Sequence, residues 1–235
     1  MVDIQQVSKC FTLRYNRAET LKSKLIGFFH KRYREQKEVF WALKNISLSI
    51  APGETVGLIG RNGSGKSTML KIIAGILTPT SGKVSLPPKA RIGAMIELGV
   101  GFDSELTGLE NVYLSASIHG LSRSEIDVIY PRIVEFSELA RFIDIPLKNY
   151  SSGMQMRLAF AISANLEPDI LLLDEVLAVG DEAFQGKCLS TIETFKQRGT
   201  SIVFVSHSMS HVQKFCDRVC VFEKGELLFV GSATD

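Results

Sequence analysis

The sequence predicts an α/β fold organised around a phosphate-binding loop, on three observations. Gly60-Arg61-Asn62-Gly63-Ser64-Gly65-Lys66-Ser67, followed by Thr68, has the spacing G-x-x-x-x-G-K-[ST]. An apolar run, Thr55-Val56-Gly57-Leu58-Ile59, leads into it, and Met69 to Gly75 reads as a helix ended by glycine. Two further apolar runs, 169–174 and 201–206, deliver polar residues to their C-terminal ends, where open α/β sheets bind ligands.

The strand–loop–helix context is what gives the loop its chemistry. Glycines at Gly60, Gly63 and Gly65 let successive backbone N–H groups converge on a polyphosphate, and the helix N-terminus adds partial positive charge. Lys66 supplies a point charge for the β- and γ-phosphates, and Ser67 offers a hydroxyl to Mg²⁺. An ordinary glycine-rich turn is the alternative, and the full pattern in this context makes it the weaker one. The expectation is a bound nucleotide over residues 60–68.

Composition narrows the class. At 235 residues the chain can bury a large core as one domain. A formal charge of +2 carries no nucleic-acid signature, so no such partner is expected. Cys10, Cys188, Cys216 and Cys220 lack paired metal spacing. Cys216 and Cys220 read as buried thiols at a helix-to-strand boundary, consistent with a reduced compartment. The N-terminus has no apolar signal region, and no apolar run approaches the about 20 residues that span a bilayer. The chain is expected not to cross a membrane by itself.

In chain order, residues 2–13 read as a strand and 46–51 as a half-buried strand, turning at Pro52-Gly53 into the strand that feeds the loop. Between them, residues 12–40 carry eight lysines and arginines against three acids, a local excess of five positive charges. Leu21, Leu25, Phe28 and Phe29 recur there at helical spacing. A basic helix with such a face can lie at a membrane surface, or pack as a solvated helix on its own domain. Residues 76–96 read as short strands and turns. From Leu106 to about Phe142 the pattern is helical, with capping-type starts at Thr107 and at Ser122-x-x-Glu125.

Tyr150-Ser151-Ser152-Gly153-Met154 opens another helix, and Asp169 to Glu175 reads as a buried strand ending in two acids. Asp174 can hold the shell of Mg²⁺, and Glu175 can accept a proton from an attacking water. A solvated acidic turn is the plainer account of that pair. Ser201 to Ser206 is one more buried strand, and it delivers His207 to the same edge. A lone strand-end histidine is more often structural, and His211 four residues on is weak evidence for a metal. The chain closes on a hairpin turning at Lys224-Gly225.

The order of phosphate loop, helical insertion, Ser151-Ser152-Gly153, Asp174-Glu175 strand and strand-end His207 resembles an ATP-binding cassette (ABC) ATPase over essentially the whole chain. The resemblance implies one domain, 1–235, with a P-loop NTPase core. An N-terminal antiparallel β subdomain and a helical subdomain, about 98–165 and inserted between the Walker A and Walker B segments, complete the implied fold. It implies ATP and Mg²⁺ as ligands, and a head-to-tail dimer in which Ser151, Ser152 and Gly153 complete the ATP held by the second copy. By the same resemblance Asp181 lies in the D-loop, His207 senses the γ-phosphate and Glu175 is the catalytic base. An aromatic residue stacks on adenine, with Phe11 favoured and Tyr15 and Trp41 as alternatives.

Two departures from the family pattern stand out. Ser152 and Met154 replace the second glycine and the final glutamine of the signature, and Glu97 replaces a loop glutamine that contacts Mg²⁺. The stretches Ile96–Phe102, Glu105–Leu114, Tyr150–Met154 and Glu175–Asp181 resemble the bacterial polysaccharide exporters. That branch implies a lipid-linked O-antigen, capsule or teichoic acid as substrate, a polytopic transmembrane permease as partner, and a peripheral place on the cytoplasmic face of the inner membrane. It also implies that the 12–40 insertion lies near the membrane interface. A soluble cassette acting on nucleic acid or ribosomes is the alternative. The interval between loop and signature is short and has no heptads, which argues against the DNA-repair type. A kinase is disfavoured by the signature and the histidine strand.

Overall fold

The structure, a computed structural model, describes residues 1–15, 36–96, 101–174, 181–206 and 208–233. In order these form β1 (Val2–Tyr15), β2 (Gln36–Ile50), β3 (Thr55–Ile59), α1 (Lys66–Ile73), β4 (Ser81–Ser85) and β5 (Ile92–Met95). Next come α2 (Gly108–Ile118), α3 (Arg123–Ser137), α4 (Ser152–Asn165), β6 (Ile170–Asp174) and α5 (Glu182–Gln197). The chain continues as β7 (Ser201–Val205), α6 (Met209–Phe215), β8 (Arg218–Glu223) and β9 (Glu226–Ser232).

Two sheets result. β2-β1-β4 is antiparallel, and the larger sheet runs β5-β6-β7-β3-β8-β9, parallel except for β9. The apolar runs of β3, β6 and β7 sit in the middle of the large sheet because both of their faces are covered. Val56, Leu58, Leu172, Val203 and Val205 pack with α1 and the small sheet; Leu171, Leu173, Ile202 and Phe204 pack with α5 and the end of α6. Full burial of each such side chain stabilises the fold by about 1.5–3 kcal/mol. Gly57 admits that second layer: a Cβ there would lie 2.9 Å from Cys216 Sγ.

Cys216 and Cys220 are free and buried, and burial pushes each thiol up to about 12. At the opposite end of β3, Arg218 forks onto Glu54 (2.7 and 3.1 Å) and donates to Ser49 O at 2.6 Å. That pair fastens β8 to the Pro52-Gly53 turn. The closing hairpin turns at Lys224 (φ 48) and Gly225 (φ 84), the left-handed pair that a two-residue β-turn requires.

Helices α2, α3 and α4 enclose a third core around Val112, Ala116, Ile126, Ile133, Leu158 and Ile162. Both predicted capping boxes form. Glu110 N donates to Thr107 Oγ1 while Thr107 N donates to Glu110 Oε2; Ser122 and Glu125 repeat the exchange. This is the helical unit between the phosphate loop and the Asp174 strand, as the resemblance implies.

The ends of the segment read as an insertion at 12–40 are strand. β1 runs on to Tyr15 and β2 begins at Gln36, with Leu13 opposite Glu38 and Tyr15 opposite Gln36, so both flanks are strand. The two strands protrude past β4 as a ribbon that exposes both faces, which removes the apolar alternation a sequence reader relies on. The helical face at Leu21, Leu25, Phe28 and Phe29 lies outside the described residues.

Candidate functional site

The parallel arrangement brings the C-terminal ends of β3 and β6 to one edge, where the chain leaves β3 into residues 60–65 and then α1. Two glycines are required there by close approach. At Gly60 (φ 148) a Cβ would collide with Phe222 O, and at Gly65 (φ 108) it would stand 2.5 Å from Ala42 O. The loop is thereby clamped between β8 and β2. Gly65 is the N-cap of α1 and gives it no side-chain cap, so the first N–H groups of that helix are left for a ligand.

Lys66 is 5% exposed, and its ammonium turns back onto two loop carbonyls, Gly60 O at 2.8 Å and Arg61 O at 3.1 Å. Two of its three donors are thus accounted for, by neutral acceptors, in front of an open cleft. A buried cation so placed suits an anion. Ser64 Oγ is buried with no hydrogen-bond partner among the described residues.

The cleft in front of the loop has a volume of about 490 Å³ and is lined by Asn62 through Thr68, by Ala42, Phe11 and Phe40, and by Asp174. It therefore joins a polar phosphate floor, a carboxylate and an aromatic wall. Phe11 lies directly opposite Phe40 in the β1–β2 register, so the two rings share one face of the ribbon. Trp41, one residue on and paired with Cys10, belongs to the other face and does not line the cleft. Tyr15 lies four residues further along β1 than Phe11. Phe40 was not among the aromatic candidates from sequence; it falls in the stretch read as insertion, and only the strand register brings it beside Phe11.

The remaining predicted residues stand elsewhere. Ser151 caps α4, accepting from Met154 N at 3.2 Å, and Ser152 and Gly153 form the first turn. None of these three lines its own chain's cleft, and a Cβ on Gly153 would meet only Ser151 Oγ at 3.9 Å. Ser152 has ordinary helical backbone, so serine costs no strain where the family carries glycine. Asp181 caps α5 through Phe184 N at 2.9 Å and pairs with Arg157 Nη2 at 2.5 Å. Glu97, Glu175 and His207 lie outside the described residues.

Comparison with known proteins agrees with the cleft. The family model described as ABC transporter matches residues 43–178. The O-antigen export system ATP-binding protein RfbB of Klebsiella pneumoniae is 53% identical over 194 residues, covering 83% of this chain and 78% of that protein. The teichoic acids export ATP-binding protein TagH of Listeria monocytogenes is 44% identical over 234 residues, covering 100% of this chain and 68% of its own length. Among solved structures, an ATP-binding cassette captured as a dimer in a post-hydrolysis state with ADP and Pi superposes with a TM-score of 0.74 at 26% identity, covering 99% of both chains. An ATP-binding subunit of an ABC transporter shares the fold with a TM-score of 0.76 at 23% identity, covering 99% of this chain and 90% of that one.

Proposed function

Because this chain belongs to the ABC transporter family, we propose that it is the ATP-hydrolysing subunit of a bacterial exporter of lipid-linked polysaccharide. The observation that carries the proposal is the similarity, over most or all of the chain, to ATP-binding proteins named for O-antigen and teichoic acid export. The cleft supports its chemical half. Asn62 to Thr68 and Lys66 would hold the phosphates and Phe11, with Phe40, the base, while Ser151 to Gly153 would complete the site of a second copy.

Ser67 and Asp174 line one cleft, and a hydroxyl with a carboxylate suits Mg²⁺, which keeps waters and binds phosphate oxygens. Among the described residues no cluster of three acidic, His or Cys side chains competes for a metal. Mg²⁺ bound there would neutralise phosphate charge. Glu175 would accept the proton of the attacking water and His207 would contact the γ-phosphate. Catalysis would then be mostly positioning and electrostatics.

Glu97 adds a feature of its own. A carboxylate near the γ-phosphate repels it unless a cation stands between them. ATP affinity is expected to depend on Mg²⁺ more steeply in the natural protein than in Glu97→Gln. Titrations of both with and without Mg²⁺ check this, and equal dependence would remove the assigned place of Glu97.

No described helix is long and apolar enough to cross a membrane. From the likeness to export-system ATP-binding proteins, a separate polytopic permease is the partner proposed, with the chain on the cytoplasmic face and the basic insertion near the lipid interface. Mild-detergent purification from the native membrane, with mass spectrometry of proteins and lipids, tests this. A co-purifying polytopic protein with a lipid-linked glycan is expected; ribosomes or DNA in its place would overturn export while leaving the cassette.

A further inference from the structure

Arg157 ties three helices together at a point the proposed cycle leaves without a role. It sits on α4, six residues past the Ser151 cap, and its side chain is 18% exposed. Nη1 donates to Glu138 Oε2 at 2.8 Å, at the end of α3, and Nη2 to Asp181 Oδ2 at 2.5 Å, at the start of α5. The guanidinium lies 4.7 Å from the Phe184 ring centroid. Asp181 spends its other oxygen on capping α5, so one carboxylate fixes both the helix start and its link to α4.

A second strut runs beside the first. Lys187 Nζ donates to Phe136 O at 2.9 Å and to Glu138 Oε1 at 3.3 Å. Beneath both, Phe136, Phe160 and Phe184, one from each of the three helices, meet with centroids 5.8 to 6.1 Å apart. The hydrogen bond from Arg157, with that from Lys187, holds the Glu138 carboxyl below its ordinary range.

The side chains of Glu138 and Asp181 are 55% and 62% exposed, and ion pairs to such partners stabilise a fold little. A planar fork stacked on a ring specifies direction instead. The directions it relates are those of α4, whose N-terminus is Ser151–Gly153, and α5, whose cap Asp181 lies seven residues after Asp174.

We propose that Arg157 is a positioning residue for ATP turnover: it locks the angle between the helix that presents Ser151–Gly153 and the helix that Asp181 caps. The proposal rests on the ATPase function above, and its test separates the two. Val128→Cys on α3 and Gln197→Cys on α5, both exposed positions, would carry spin labels in a Cys10→Ser background. With Arg157 present the labels should give one narrow distance population without nucleotide, and Arg157→Ala should broaden it.

In unlabelled protein, Arg157→Ala should lower kcat about tenfold to a hundredfold, the scale of a misplaced catalytic geometry. KM for ATP should stay within about twofold. Arg157→Lys should recover part of the loss, since an ammonium cannot fork across both carboxylates. Glu138→Ala and Arg157→Ala combined should cost less than the product of the two single effects, because they share one contact and only the Lys187 bond to Glu138 is lost in addition. An unchanged distance distribution overturns the lock, as does a loss confined to KM or effects of the two variants that multiply. Turnover that survives Lys66→Ala would instead remove the ATPase assignment, and the label distances would still decide on Arg157.

Discussion

Gly65→Ala is expected to abolish nucleotide binding, with ATP affinity falling more than about a hundredfold, about 2.7 kcal/mol. The added methyl would stand 2.5 Å from Ala42 O and 2.8 Å from Leu43 Cδ2, on a strand whose Leu43 is fully buried. The Ala42 carbonyl cannot give way without moving β2, which also supplies Phe40 and Ala42 to the cleft. A left-handed φ of 108 adds strain of about 1–3 kcal/mol for a residue other than glycine. Gly63→Ala is the matched control. It shares a positive φ of 78, but its Cβ would meet nothing within 4 Å. Its cost should stay near about 1 kcal/mol, or roughly 2–4 °C in Tm for a chain of this size. Isothermal titration with ATP and thermal unfolding of both variants separate the cases. Equal ATP affinity in Gly65→Ala and the natural protein would mean that β2 does not clamp the loop.

That contrast marks where the chain was legible and where it was not. The residues that make the loop are contiguous, so spacing and flanking apolar runs suffice to read them. The capping boxes at Thr107 and Ser122 are legible for the same reason, since each involves partners three residues apart. The helical reading of 106–142 holds across Pro131, which lies inside α3; that helix continues past the lost N–H because Ile126, Ile129 and Ile133 bury one face in the helical core. Phe40 and Arg157 depend on distant pairing. Phe40 reaches the cleft only through its register with Phe11, and Arg157 finds its carboxylates 19 and 24 residues away. No spacing rule reports either contact. The exposed β1–β2 ribbon failed for a third reason, because strand periodicity records burial and this ribbon has water on both faces.

The signature segment shows that a departure in sequence need not be one in structure. Ser152 stands where the resemblance leads one to expect glycine, yet its backbone is helical and its neighbour Gly153 leaves open space above the α4 N-terminus. What the proposed contact with a second copy's γ-phosphate would require there is access to N–H groups and a hydroxyl, and Ser151 and Ser152 keep both. The proposed half-site would thus accommodate serine without strain.

Glu175→Gln should bring the dimer into view. β6 runs parallel between β5 and β7 and ends at Asp174, which lines the cleft, and Glu175 is the next residue in the sequence, outside the described residues. A glutamine there keeps the size of the side chain and removes its capacity to take a proton. Loss of a general base lowers turnover by about 10²–10⁴-fold. Binding should survive or tighten, because a negative charge has been withdrawn from the neighbourhood of a triphosphate. Bound ATP that is not consumed should hold two copies together, each supplying Ser151–Gly153 to the other. Steady-state phosphate release and size-exclusion chromatography with ATP read the two effects separately. Turnover at the natural rate would remove Glu175 as the base, whereas slow turnover in a protein that stays monomeric with ATP would remove the half-site at Ser151–Gly153 and leave the base in place.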